Sequence, residues 1–200
     1  MDSRFYNIDK KKKLAEWVMV ASTGSTDYDL GLLYVSKMID ELLLAFYYSE
    51  KNMSKLVSQD VYEIKKENLE ISFIKNVLNV YIDLNLSKLV EKRKDTWSLY
   101  QLLNVSKKLG WADEAQIQNA VDAFAVEIRF ITKGRHERYA HTSRKNDPYT
   151  LHAPARMEIY RNIIKKSVEL LDKFVDGEIP YILYMGEAEE YDLRKSLFSK

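Results

Sequence analysis

Residues 31–46 read GLLYVSKMIDELLLAF, and within them Leu32, Val35, Ile39, Leu42 and Phe46 step by three and four. That spacing places all five on one face of a helix, as a core-facing stripe requires. Two more segments repeat the pattern. Ile71, Ile74, Leu78, Ile82, Leu86 and Leu89 form a second stripe, on a segment read as starting near Asp60. Met157, Tyr160, Ile164, Val168, Leu171 and Val175 form a third, with Gly177 as its C-cap. A fourth helix is expected from about Asp113, with Val121, Phe124, Ile128 and Ile131 facing inward. Shorter helices are expected near 8–22, 97–109 and 187–198.

Composition supports helices throughout. The 200 residues include six Gly and three Pro, far below the roughly 12% these two make up in average proteins. Folds rich in sheet spend both on tight turns. All three prolines (Pro148, Pro154, Pro180) fall in the last third, so nothing before Pro148 is interrupted by one. The expected fold is all-α: a single domain over 1–200, an antiparallel helical bundle with ancillary N- and C-terminal helices.

Hydrophobic content of 46% beside 30% charge marks a globular chain with apolar surface enough for one core. No apolar run approaches the roughly 18 residues that span a bilayer. The N-terminal MDSRFYNIDKKKK lacks the apolar stretch of a secretory signal, so a cytoplasmic location and no membrane partner are expected. The absence of cysteine excludes disulfides, thiolate metal sites and cysteine nucleophiles. Net charge is +1, so any polyanion site must come from charge gathered locally.

Several chemistries find no support. No GxxxxGK[ST] or GxGxxG phosphate loop is present, and no G-x-S-x-G elbow. Residues 136–141, HERYAH, are superficially like the HExxH zinc motif, but the histidines stand at i and i+5. On a continuous helix they point about 140° apart. No metal and no cofactor are expected.

Charge does gather in 129–145, RFITKGRHERYAHTSRK. Arg129, Lys133, Arg135, Arg138, Arg144 and Lys145 stand against the single acid Glu137, and all three histidines (His136, His141, His152) lie within it or just after. A solvated helix end intersperses acids for pairing, so this cluster points to an anion such as phosphate. The competing reading is a basic helix C-terminus that favours the macrodipole. Residues 142–154, TSRKNDPYTLHAP, form the long connection that follows.

The spacing from Arg135 through the polar His136 to His141 resembles the R-x(4–6)-H motif of the HEPN superfamily of helical RNases and nucleotide-binding proteins. RHERYAH is similar to the R-polar-x-x-x-A-H variant of its abortive-infection (AbiU-like) branch. Residues 84–103, LNLSKLVEKRKDTWSLYQLL, resemble that branch's L-x-x-L…[ST]-x-S-L-x-x-L segment, and 187–198, EAEEYDLRKSLF, its acidic closing helix.

The resemblance implies a HEPN-like bundle acting as a metal-independent endoribonuclease, with the 2′-OH of RNA as internal nucleophile. It implies a toxin or anti-phage effector working on tRNA or mRNA, under the control of a trigger or an antitoxin. Arginine, always charged and able to make two parallel bonds to phosphate, suits stabilisation of the charge on phosphorus. Histidine suits proton transfer near pH 7. Arg135 is then the phosphate clamp, His141 the general acid/base and His136 a secondary phosphate or base contact. Arg138, Arg144 and Lys133 hold the RNA backbone. Arg129 does the same or pairs structurally, and Tyr139 stacks on a base or packs in the core. Asp40 and Glu41 are candidate acids for orienting Arg135.

On an unbroken helix Arg135 and His141 point about 120° apart with a rise of about 9 Å. Either the helix ends or distorts before His141, or the site is composed across a two-fold axis. The expected assembly is a homodimer with facing motifs. The alternative is a non-catalytic RNA- or nucleotide-binding module, or a helical adaptor.

Overall fold

The computed structural model describes residues 27–57, 66–109, 114–135, 153–175, 177–185 and 189–199. Its elements in chain order are α1 (Asp27–Val57), α2 (Lys66–Leu89), α3 (Leu99–Lys108), α4 (Glu114–Glu127), α5 (Arg129–Arg135), α6 (Ala153–Val175), β1 (Ile182–Met185), β2 (Glu189–Asp192) and α7 (Leu193–Phe198). The fold is an all-α helical bundle carrying one short hairpin. The expected helix near 8–22, the N-cap at Asp113 and the start near Asp60 lie outside the described residues.

Helix α1 is the hub, with α2, α3, α6 and α7 packed around it. Its stripe of Leu32, Val35, Ile39, Leu42 and Phe46 is buried throughout, and Asp27 and Asp29 favour its N-terminal dipole. α1 runs antiparallel to α6. Tyr28 Oη donates to the Phe174 carbonyl (2.6 Å) at one end, while Ser49 Oγ reaches Met157 Sδ (3.6 Å) at the other. The third stripe, from Met157 to Val175, is likewise buried. Beyond it the Gly177 N–H donates to the Asp172 carbonyl (3.2 Å). Pro154 sits in the first turn of α6, where no intrahelical N–H is needed.

Helix α3 is capped by Ser98, whose extended backbone lets Oγ accept from Gln101 N–H (3.3 Å) while donating to the Glu91 carbonyl (2.6 Å). The preceding turn brings Trp97 against α1. A Cβ placed on Gly31 would lie 2.5 Å from Trp97 Cζ3, and Tyr34 stacks on the same indole at 6.5 Å. Because that stack limits the ring's retreat, Gly31→Val is expected to cost about 2 kcal/mol, read as a lowered urea midpoint.

α4 and α5 form one bent helix. Ile128 N–H donates to Phe124 C=O (3.1 Å), and Ile128 C=O accepts from both Ile131 (2.9 Å) and Thr132 (3.1 Å) N–H groups. Val121, Phe124, Ile128 and Ile131 all face the core, as their spacing predicts.

Two expectations need correction. Ile74 of the second stripe is 47% exposed, and Ile71 and Leu78 are only half-buried; Ile82, Leu86 and Leu89 carry the burial. α2 is apolar on both faces, and Leu69, Phe73, Val77 and Tyr81 are also exposed on it. A helix with two apolar faces does not announce which one packs. The C-terminal helix expected over 187–198 is confined to α7, because Glu189–Asp192 pair as β2 with β1 (Ile182↔Asp192, Leu183↔Tyr191). Asp192 then caps α7 by accepting from Lys195 N–H (2.8 Å). Arg194 fixes this end to α6 by a two-point bond to Asp172 (3.0 and 2.7 Å). Among the described residues no helix is long and apolar enough to cross a membrane.

Candidate functional site

The basic segment begins on α5, which packs against α2. Where the end of α2, the turn after it, α3, α4 and α5 meet, an open groove of about 460 Å³ forms. Its apolar wall is Val90, Ala125 and Val126; Glu91, Lys92, Tyr100, Asp122, Arg129 and Thr132 supply the polar groups. Arg129 is therefore on a concave surface, exposed, and without an ion-pair partner among the described residues. Thr132 Oγ1 donates to the Arg129 carbonyl (2.9 Å), tying the first turn of α5 together.

In the same groove the Tyr100 hydroxyl donates to Asp122 Oδ1 (2.7 Å) and Lys92 Nζ lies 4.6 Å from the Tyr100 ring centroid. Gln118 Nε2 donates to Asp122 Oδ2 (2.7 Å), while its Oε1 accepts from Lys107 Nζ (2.7 Å). Burial, and then the bond to Asp122, push the Tyr100 phenol up to about 12. Bonds from Tyr100 and Gln118 hold the Asp122 carboxyl below its ordinary range. At neutral pH the pair is a neutral phenol beside a carboxylate.

A second polar cluster stands at the start of α6, where the chain emerges from 136–152. Asp83, buried on α2, receives Arg156 Nη2 on Oδ2 (2.8 Å) and the Tyr160 hydroxyl on Oδ1 (2.6 Å). Arg156 Nε donates to that same hydroxyl (2.8 Å), closing a triangle. Burial and then the Asp83 charge drive the Tyr160 phenol far upward. Lys75, two turns before Asp83, is pushed down by burial and then by the Arg156 charge.

The sequence-predicted residues divide sharply. Arg129 and Lys133 are exposed on α5. Arg135 is the last residue of α5, and its side chain is outside the described residues, as are His136, Arg138, Tyr139, His141, Arg144 and His152. Of the two acids proposed to orient Arg135, Glu41 accepts the Tyr81 hydroxyl (2.5 Å). Asp40 is partly buried, and desolvation followed by the Glu41 charge raises its carboxyl from 3.8 to about 6. A carboxyl raised on folding favours the native state fully below pH 4 and loses that contribution as pH climbs through 6. Asp40→Asn is therefore expected to raise stability at pH 7.5 by about 1 kcal/mol, discounted for partial solvation, and to bring no gain at pH 4. Paired urea titrations at the two pH values check this.

Sequence reasoning missed Lys92, Tyr100 and Asp122 as groove residues, and Asp83 with Arg156. The one signal was the run Glu91–Lys94, whose charges follow directly on an apolar stripe. Asp83 and Arg156 stand 73 positions apart, and no local pattern joins them. Among the described residues no group of three or more His, Asp or Glu side chains stands close enough to hold a metal ion. No family model matches this chain, and neither does any curated protein or solved structure.

Proposed function

We propose that this protein is a metal-independent endoribonuclease of the HEPN type, a cytoplasmic toxin or anti-phage effector held in check by a trigger or antitoxin. The observation that carries the reading is the path of the basic segment. The bent α4–α5 helix delivers Arg129 to a groove with an apolar wall and leads straight to Arg135. In this reading the 2′-oxygen of a ribose attacks the adjacent phosphorus and the bond to the 5′-oxygen breaks. The products are a 2′,3′-cyclic phosphate and a free 5′-hydroxyl. His141 moves the proton, with His136 as a secondary contact; Arg135 stabilises the extra negative charge on the phosphoryl oxygens. Arg138, Arg144, Lys133 and Arg129 hold the strand, Tyr139 stacks on a base, and two copies bring their motifs together.

The test is incubation of the purified protein with total RNA and with tRNA in excess EDTA. Discrete fragments ending in 2′,3′-cyclic phosphate are expected. Their absence, with the folded dimer verified, overturns the nuclease reading.

A second reading, a non-catalytic RNA- or nucleotide-binding module, is favoured by the groove's own chemistry. The Tyr100 phenol bonded to Asp122, beside the exposed Arg129 and an apolar wall, offers polar and apolar contacts suited to holding a ligand. RNA binding without cleavage is its signature.

A further inference from the structure

The groove at the end of α2 combines three features. It has an apolar wall, a cation with no partner among the described residues, and carboxylates that only accept hydrogen bonds. Its volume of about 460 Å³ lies in the range of pockets that hold small ligands. Val90, Ala125 and Val126 supply its apolar lining, and Val126 is 71% exposed although it lies in the concavity. Arg129 at the rim presents a planar fork matched to a phosphate.

The acceptors decide the ligand. Asp122 uses one lone pair for the Tyr100 hydroxyl and one for Gln118, which leaves capacity on both oxygens. Among the described residues Glu91 pairs with the exposed Arg93, at 3.9 Å. Lys92 is drawn over the Tyr100 ring, which covers that aromatic face and leaves the apolar wall as the surface open to a base. A ligand edge bearing N–H donors is favoured where the Asp122 carboxylate and the Glu91 side chain offer acceptors, and an edge of carbonyl oxygens is disfavoured.

We propose that this groove is a nucleotide subsite, with the phosphate on Arg129 and a base bearing an exocyclic amine (cytosine, adenine or guanine, not uracil) against the wall and Asp122. The assignment rests on the reading of the protein as an RNA-acting one, and it adds a base preference that the Arg135–His141 motif does not supply. In RNA the occupant is a nucleotide of the bound strand, held where α5 leads toward the motif.

The test is calorimetric titration of the full-length wild-type protein with CMP, AMP and UMP, which have no phosphodiester to cleave. CMP and AMP are expected to bind at least about 5-fold more tightly than UMP, the low end of discrimination by one directed base contact. Arg129→Gln weakens all three by a similar factor of about 10, since the phosphate contact is common to them. Asp122→Asn, at an exposed position, brings CMP and UMP within about 2-fold of each other. Val126→Glu places a charge on the wall and removes binding of all three. Equal affinity for CMP and UMP in the wild type, or an Arg129→Gln protein that binds like wild type, overturns the proposal. Binding with the expected preference in a protein that cuts no RNA retains the groove and rejects the nuclease. Cleavage by a protein that binds no nucleotide does the reverse.

Discussion

Arg135→Ala and His141→Ala are each expected to lower the rate of RNA cleavage by about 100- to 10,000-fold while leaving the thermal midpoint nearly unchanged. The magnitude follows from the two tasks. A proton-transfer group placed at the reacting oxygen contributes about 10²–10⁴, and a fixed donor aimed at developing charge contributes about 10²–10³. The stability expectation follows from position, since Arg135 is the last residue of α5, past the core contacts of Ile128 and Ile131. The substitutions should differ in character. Arg135→Lys restores a charge but not the planar fork, so it recovers only part of the activity. His141→Ala should remove the limb of the pH–rate profile that reports its ionisation. The double variant should be little worse than either single one, because groups acting on one transition state are not additive. Single-turnover cleavage of a defined oligoribonucleotide in EDTA reads all of these. Activity that survives both substitutions removes these two residues from the mechanism.

Asp83→Ala is expected to be the most destabilising single substitution, costing about 3–5 kcal/mol against a total stability of about 5–15 kcal/mol for a domain. The carboxylate is 2% exposed and is the common partner of Arg156 and Tyr160. Removing it takes the buried carboxylate from a half-buried guanidinium and the acceptor from a buried phenol. Tyr160→Phe should cost far less, about 1–2 kcal/mol, because it removes one hydrogen bond and leaves the ion pair standing. Equilibrium urea unfolding of the two single variants and the double variant separates these contributions. A coupling energy near zero would show that the triangle does not act as a unit. The location gives the cluster a wider effect. It anchors the first turns of α6, where the chain leaves the segment bearing His141, so its loss is expected to lower cleavage by more than unfolding alone accounts for.

Much of this organisation was legible in the chain. Stripes of period 3.6 locate α1, the α4–α5 helix and α6 because each has one dominant apolar face, and that face is the one buried. The basic cluster at 129–145 was equally plain, since charge imbalance within a short window needs no tertiary information. α2 shows where that logic stops: with Phe73 and Val77 on one side and Ile82 and Leu86 on the other, only the partners available in three dimensions selected the buried face. The strand at Glu189–Asp192 was hidden for a similar reason. A two-stranded ladder is made by its partner strand and leaves little trace in local propensity. Arg129 was visible as a charge, but the groove that gives it a neighbour of opposite character is assembled from four helices and a turn. The Asp83–Arg156–Tyr160 triangle is the clearest case. Periodicity and local charge are properties of neighbours along the chain, whereas a buried ion pair depends on which helices touch and at what height, and only the packed bundle determines that.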